Sequence, residues 1–391
     1  MKLIKLSVFF ATVYSLYISE VFGAIPSFLV LMYILLDVAL LSNMFRHRFV
    51  LTGECKSVIL FIVWAAVSGM SLAINQEAFL RDIVLAIESV FLFMSLYYIT
   101  IYEKTPMFSA KTFYFMALIY IITALINNNQ ISGRLAISAT ANANTLGNMC
   151  FICAGLSLLI FKKIKYGSIL MISSVCISLY VAILSGSKKA FFIILVFNLL
   201  MLMFKLKYFI MKKTRKSIVV IVLTFVLLGC FGTSISDFFE NSIVYQRILL
   251  ADKTDEVRLD LYNEAISTFL ENPIMGVGFQ QSTYYSSLSL YTHSGFMETL
   301  VGTGLIGFII WIQYYVYALK HSLSNLFKTK DYDVTIWTFV WLVCQIVLEF
   351  TSVSYYYPAN FAMLGCIAAI NILHSKKGES KNGDTIFFGR R

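Results

Sequence analysis

Thr292–Gly307 reads THSGFMETLVGTGLIG, which places a histidine and a serine at the mouth of a long apolar run. A polar, titratable opening to a membrane-length helix is costly unless it has a partner or a task. His293 is the natural proton carrier of the pair, because imidazole titrates closest to neutral pH. It would take a proton from an attacking hydroxyl, donate one to a departing group, or cap the helix as a satisfied buried side chain. Position alone separates none of these. Glu298 lies five residues further on, inside the apolar run. A carboxylate there faces a bundle interior, pairing with a basic group or binding a sugar hydroxyl. Tyr291 and Ser294 flank the histidine. The tract QQSTYYSSLSLYTHS suits a wet membrane interface, and its tyrosines also stack on sugar rings.

Cations elsewhere fit an anionic ligand. Lys188 and Lys189 follow a Gly-Ser step in SGSKKAFF, between two apolar runs. They either snorkel to anionic headgroups or clamp a phosphate, helped by the free amides of a helix start. Arg258 opens an amphipathic stretch. It pairs with Asp255 or Glu256, or offers its planar fork to phosphate oxygens. Arg134, in a loop rich in Asn, Ser, Thr and Ala, admits the same two readings.

These residues are set in a chain of 391 residues, 59% hydrophobic and 13% charged. Soluble domains carry roughly 25% charged residues, so repeated apolar runs make this an all-α polytopic membrane protein. About 12 spans are expected, near 6–22, 25–44, 57–74, 82–102, 110–126, 145–161, 167–185, 190–204, 217–232, 295–319, 334–350 and 354–373. The start resembles a signal peptide, yet in so polytopic a chain an uncleaved first helix is expected. With the N-terminus in the cytoplasm, about 24 of the 31 Lys and Arg lie inside, as the positive-inside rule requires. The exceptions are Arg81, Arg134, Lys188, Lys189, Arg247, Lys253 and Arg258. His47, His321 and His374 fall in or beside inner segments, which leaves His293 as the external histidine.

The chain then divides into an N-terminal bundle of about nine helices over 1–232, an external loop over 233–292, C-terminal spans over 293–374, and a polar tail over 375–391. Within the loop, 258–271 reads as a short amphipathic helix with Leu259, Tyr262, Ala265, Ile266, Phe269 and Leu270 on one face. Asn272-Pro273 ends it, and Gly276 and Gly278 form a turn. Gly302, Gly304 and Gly307 read as helix-packing positions. Cys150 and Cys153 form a C-x-x-C inside an apolar run and read as packing residues. The net charge of +10 is accounted for by orientation, so no nucleic-acid partner is expected. There is no P-loop, no D-x-D pair near the external cations and no H-E-x-x-H. A metal-bound nucleotide-sugar site is therefore disfavoured, and no cofactor or metal is expected. Several cations and one histidine beside the bilayer suit a lipid that carries a diphosphate.

Four stretches together resemble the O-antigen ligase and polymerase (Wzy/WaaL-type) superfamily of bacterial membrane glycosyltransferases. SGSKKA is similar to the family's Ser-x-Ser-Arg segment, with Lys188 where Arg is usual. VRLDLYNEAISTFLENPIMGVGF matches its "R…NP…GxG" segment at Arg258, Asn272, Pro273, Gly276 and Gly278. THSGFMETLVGTGLIG matches its "HN…GxxG" helix start at His293, Gly304 and Gly307, with Ser294 in place of Asn. GRLAISATANANTLGN matches its "R…NxN" segment at Arg134, Asn142 and Asn144. The first hundred residues resemble the family only in hydropathy.

The resemblance implies a GT-C-like fold in the bacterial inner membrane, with both termini cytoplasmic and the site on the external face. It implies an undecaprenyl-diphosphate-linked oligosaccharide as substrate. Lys188, Lys189, Arg134 and Arg258 would hold the diphosphate. His293 and Arg258 would be catalytic, and Ser294, Glu298 and Tyr291 would meet the acceptor sugar. A separate chain-length regulator is the implied protein partner. Polymerisation of repeat units, for O-antigen or capsule, is the leading expectation, with ligation to lipid A-core as the alternative. A lipid-linked oligosaccharide flippase would instead spread charge through the membrane interior, where Asp37, Glu88, Glu298 and Glu349 are nearly alone.

Overall fold

The computed structural model describes residues 1–22, 26–46, 51–139, 141–211, 240–249, 251–328, 332–353 and 358–377. It is all-α apart from one small hairpin. The helices are α1 (Lys2–Val13), α2 (Ser19–Phe22), α3 (Pro26–Arg46), α4 (Gly53–Leu72), α5 (Gln76–Glu103), α6 (Met107–Asn127), α7 (Ala143–Ile160), α8 (Gly167–Leu184) and α9 (Lys188–Met211). They continue with α10 (Ile243–Leu249), α11 (Ala251–Glu271), α12 (Gly295–Lys328), α13 (Tyr332–Glu349) and α14 (Pro358–Lys377). Strands β1 (Asn129–Ile131) and β2 (Arg134–Ala136) pair antiparallel. A helix stands at each expected span except 217–232, which lies outside the described residues. Among the described residues, seven helices are long and apolar enough to cross a membrane.

The chain forms two compact units, Met1–Thr112 with Lys253–Arg391, and Phe113–Asp252. In the first, α4 runs along α12 and α5 along α14. The α5–α14 approach is close enough that a Cβ at Gly365 would overlap the Phe93 carbonyl. Trp311, buried beside Phe61 at 4.8 Å and Phe361 at 5.8 Å between ring centroids, fills the centre. At one end of the α4–α12 pair, His321 Nδ1 lies 2.7 Å from Glu54 Oε1. In the second unit, α7, α8 and α9 pack together, and Gly147 brings α7 against Ser187 and Ala190. Cys150 and Cys153 are buried there as free thiols, in keeping with packing.

Helix α12 is not continuous. Gly304 has φ 66° and ψ −171°, outside the helical region, and only glycine visits that region at little cost. The break frees backbone groups that an apolar setting cannot leave unpaired. Each finds a partner from another segment. Val277 N donates to Val301 O and Gly278 N to Gly302 O, both at 2.9 Å. Trp64 Nε1 donates to Thr303 O at 2.8 Å, and Leu305 N donates to Pro273 O at 2.8 Å. The Asn-Pro…Gly-x-Gly loop is thus threaded into α12. A Cβ at Gly304 would overlap the Ile274 carbonyl, and one at Gly276 (φ 72°) would overlap Val301 O. The expectation that these glycines are helix-packing positions holds for Gly307, set against Trp64, whereas Gly302 and Gly304 admit the backbone of a loop and Gly304 breaks the helix.

The amphipathic helix also departs from its expected form. It begins at Ala251 rather than 258. Leu261, Ala265 and Thr268 are its buried positions, with Phe269 packed against that cluster. Leu259, Ile266 and Leu270 point away and are exposed, the last at 68%. An apolar stripe outside the protein fold is what a helix lying at a bilayer surface presents, so hydrophobicity alone misidentifies the buried face.

Replacing Gly304 with Ala is expected to lower the thermal unfolding midpoint of detergent-purified protein, through a strained φ and a backbone clash of about 1–3 kcal/mol or more. Gly302→Ala should cost less, because its Cβ would sit 3.2 Å from Gly278 O. Differential scanning fluorimetry ranks the two; an equal or reversed order removes the threading argument.

Candidate functional site

Each unit carries one cluster of the chemistry-bearing residues. In the unit Phe113–Asp252, the cluster is built on the β1–β2 hairpin. Ser132 (φ 52°) and Gly133 (φ 75°) both take positive φ, the signature of a two-residue primed turn. That turn delivers Arg134 as the first residue of β2. Its Nε donates to Ser185 O and its Nη2 to Asn144 Oδ1, both at 2.8 Å. Asn142 caps α7, accepting from Asn144 N at 2.8 Å. Arg134 thereby grips the 185–187 turn, whose Gly186 has φ 62°. Arg247, from α10, donates to Gly186 O. Lys188 and Lys189 begin α9 directly after the buried Ser187 and are themselves half-buried.

Two guanidinium groups are therefore held on one turn at a helix start. Burial, reinforced by the neighbouring Arg247 charge, pushes the Arg134 pKa down from the ordinary arginine value to about 10. Because the folded pKa lies below the unfolded value, the penalty on the charged form is fully present at neutral pH. Stability rises with pH only above about 10, as the folded form loses the proton. An anion between the two charges would offset the penalty at neutral pH. Of the four cations assigned to the diphosphate from sequence, the structure brings Arg134 to the turn before Lys188 and Lys189, sets Arg258 on α11, and adds Arg247, which sequence reasoning left unassigned. Its departure from the positive-inside pattern was the available signal.

In the other unit, α11 and the loop 272–294 surround the start of α12. Ser294 is buried and caps that helix. Its Oγ lies 3.4 Å from Met297 N as acceptor and donates to Glu349 O at 3.2 Å. Glu298 is buried too, and its carboxylate draws the loop in. Oε1 accepts from Thr292 N and Oε2 from Ser282 Oγ, each at 2.5 Å. Gln281 Oε1 accepts from Asn75 N at 3.0 Å, tying the same loop to the α4–α5 turn. Ser294 and Glu298 are thus engaged in shaping the turn that carries His293.

His293 sits in the left-handed region, φ 59°, which is uncommon for a residue with a side chain. Its ring lies 4.0 Å from that of Tyr291 between centroids. Burial and the Glu298 carboxylate raise the Tyr291 pKa while the Arg258 charge opposes them. Tyr291 and His293 form one ring pair. Below it, Glu349 is fully buried, accepts from Tyr315 Oη at 2.7 Å, and lies so close to Gly295 that a Cβ there would meet its carboxylate. Nothing in the sequence pattern singled out Glu349 as part of this turn.

Residues 173–312 match the family model described as O-antigen ligase. The chain carries a domain of the O-antigen polymerase/ligase superfamily. The matched span holds Lys188, Lys189, Arg247, Arg258, Tyr291 and His293, whereas Arg134 and its asparagines lie before it. It contains part of each cluster, but it does not separate a polymerase from a ligase. No curated protein matches the chain.

If the Arg134–Arg247 arrangement is an anion cradle, pyrophosphate should raise the unfolding midpoint of the purified protein at pH 7. The shift should shrink as salt rises. Arg134→Gln and Arg247→Gln should each abolish it. A wild-type midpoint unmoved by millimolar pyrophosphate would be evidence against a cradle.

Proposed function

We propose that this protein polymerises lipid-linked oligosaccharide repeat units, for O-antigen or capsule, on the external face of the bacterial inner membrane. The observation that carries the reading is the family match over residues 173–312. It is supported by a cationic cluster and a histidine-centred cluster that sit on the segments the family motifs mark. The finer architecture belongs to the same proposal: about 12 spans in a GT-C-like arrangement, with both termini cytoplasmic.

In this reading an acceptor hydroxyl oxygen attacks C1 of the sugar at the reducing end of the donor glycan. The bond from C1 to the phosphate oxygen breaks, and undecaprenyl diphosphate departs with the electron pair. The hydroxyl proton passes to His293. Arg134 and Arg247, with Lys188 and Lys189, carry the diphosphate charge, a task of preorganised electrostatics that requires no metal. Arg258 supports charge near the reacting centre, and Tyr291 meets the acceptor sugar beside His293. Ser294 and Glu298 act from beneath, by fixing the turn. Lysine at 188 keeps the charge of the usual arginine without its fork, so the arginines take the bidentate contacts. A chain-length regulator would be a separate partner.

A second reading is ligation of the glycan to lipid A-core, the activity for which the matching family model is named. Deleting the gene separates the two on a glycan gel. Core bearing a single repeat unit indicates a polymerase, bare core a ligase, and unchanged long chains reject both. In complementation, His293→Ala and Arg258→Ala are each expected to reduce elongation at least a hundredfold at normal protein levels. Full polymerisation by both variants would remove the catalytic assignment.

A further inference from the structure

Leu259, Ile266 and Leu270 of α11 stand uncovered, and their placement around the helix points to what covers them. At about 100° per residue the three fall within about 40° of one another. Asp260, Ser267 and Glu271, also exposed, lie about 80–120° further round, with Asn263 at the border. The buried Leu261, Ala265 and Thr268 take the arc at about 180–240°. Tyr262 and Phe269, half-buried, close the circle between the buried arc and the uncovered apolar one. A helix on a protein surface in water needs two faces, one buried and one polar. This helix has three.

Its depth is marked by α12. Between Glu298 and Lys320 that helix carries no charged residue. The stretch 299–319 measures about 30 Å at about 1.5 Å per residue, the thickness of a bilayer core. Leu305 lies about 9 Å inside its edge. Because Leu305 N donates to Pro273 O at 2.8 Å, the chain just past the end of α11 is held at that depth. Tyr262 Oη donates to Phe350 O at 3.3 Å, which holds the middle of α11 at the end of α13. The uncovered apolar surface also continues from one helix to the other. Leu270 is followed by the exposed Ile274, whose carbonyl lies against Gly304, and then by the exposed Leu305 and Ile309 of α12. The surface that a membrane-spanning helix turns to lipid thus extends onto α11.

We infer that α11 is sunk into one leaflet of the bilayer, with acyl chains as the partner of its third face. Leu259, Ile266 and Leu270 lie among those chains, Asp260, Ser267 and Glu271 face water, and the C-terminal end is the deeper one. Interfacial helices bury their apolar face about 5–10 Å into the boundary between headgroups and acyl chains, which agrees with the depth at Pro273. His293 precedes Glu298 and so stands outside the charge-free stretch. It is then held at headgroup level, where the phosphate groups of a lipid lie. The placement of α11 does not depend on the transfer reaction.

The test uses full-length protein in nanodiscs of phosphatidylethanolamine and phosphatidylglycerol, with a genetically encoded fluorescent amino acid at one exposed position at a time. In place of Ile266 or Leu270, the probe should be quenched at least twofold more by lipids bearing a nitroxide on the acyl chain than by aqueous iodide. In place of Asp260 or Ser267 the order should reverse. A nitroxide low on the chain, relative to one near the headgroup, should quench the Leu270 position more than the Leu259 position; an equal ratio at the two overturns the deeper C-terminal end. Iodide quenching at Ile266 and Leu270 as strong as at Asp260 means a helix standing in water and overturns the placement. Protection of Ile266 and Leu270 from both quenchers means that protein, a second copy or another chain, covers the arc, and overturns it as well.

Discussion

The threading of residues 273–278 into the break of α12 is the constraint on which the histidine-centred cluster depends. A helix interrupted within an apolar bundle exposes carbonyls and an amide, and each group left unpaired costs about 1–3 kcal/mol. Here Val301 O, Gly302 O, Thr303 O and Leu305 N are matched by Val277 N, Gly278 N, Trp64 Nε1 and Pro273 O. Because three of the four partners come from the Asn-Pro-x-x-Gly-x-Gly loop, the C-terminus of α11 is tied to α12. Arg258 on α11 and His293 at the start of α12 are thereby built on one framework. The two motifs that lie about thirty residues apart in sequence are the two halves of a single backbone interface.

The cationic cluster follows a different logic. Arg134 is bonded to a carbonyl and an amide oxygen, and the contacts of Arg247 include the Gly186 carbonyl. Neutral acceptors of this kind orient the Arg134 guanidinium without cancelling its charge. The hairpin, the cap at Asn142 and the glycine turn at Gly186 are the local devices that bring the two charges onto one turn. Placing α9 with its N-terminus on that turn adds the helix dipole in the same sense.

The sequence made the helices legible because membrane-length apolar runs are the strongest periodic signal a chain carries. It made the cations legible through a simple contrast, since Arg134, Lys188 and Arg258 break an orientation rule that most other basic residues obey. It could not reveal the hairpin at 129–136, whose turn is specified by Ser132-Gly133 rather than by the familiar Asn-Gly. Nor could it orient α11. Leu259, Ile266 and Leu270 belong to the apolar face read from sequence, yet in a partly apolar solvent they stay exposed while Leu261, Ala265 and Thr268 are buried. Glu298 looked like a sugar ligand for a related reason. A buried carboxylate in a membrane helix does need partners, but here they are a backbone amide and a hydroxyl from its own preceding loop.

That last point bears on why His293 adopts a left-handed backbone. Residues with side chains in that region cost of order 1–3 kcal/mol and persist only where neighbours over-determine them. Thr292 N is fixed by Glu298, Ser294 is fixed by its cap contacts and by Glu349 O, and Gly295 N donates to Ser352 O at 3.1 Å. With both flanks held, the residue between them must absorb the change in chain direction. A glycine would do so most cheaply, and its absence carries information. The position retains an imidazole at a conformational cost and sets it against Tyr291. Ser294 already caps the helix, so the cap does not depend on the residue at 293. A strained backbone held from both sides is where the proposed function puts its proton carrier.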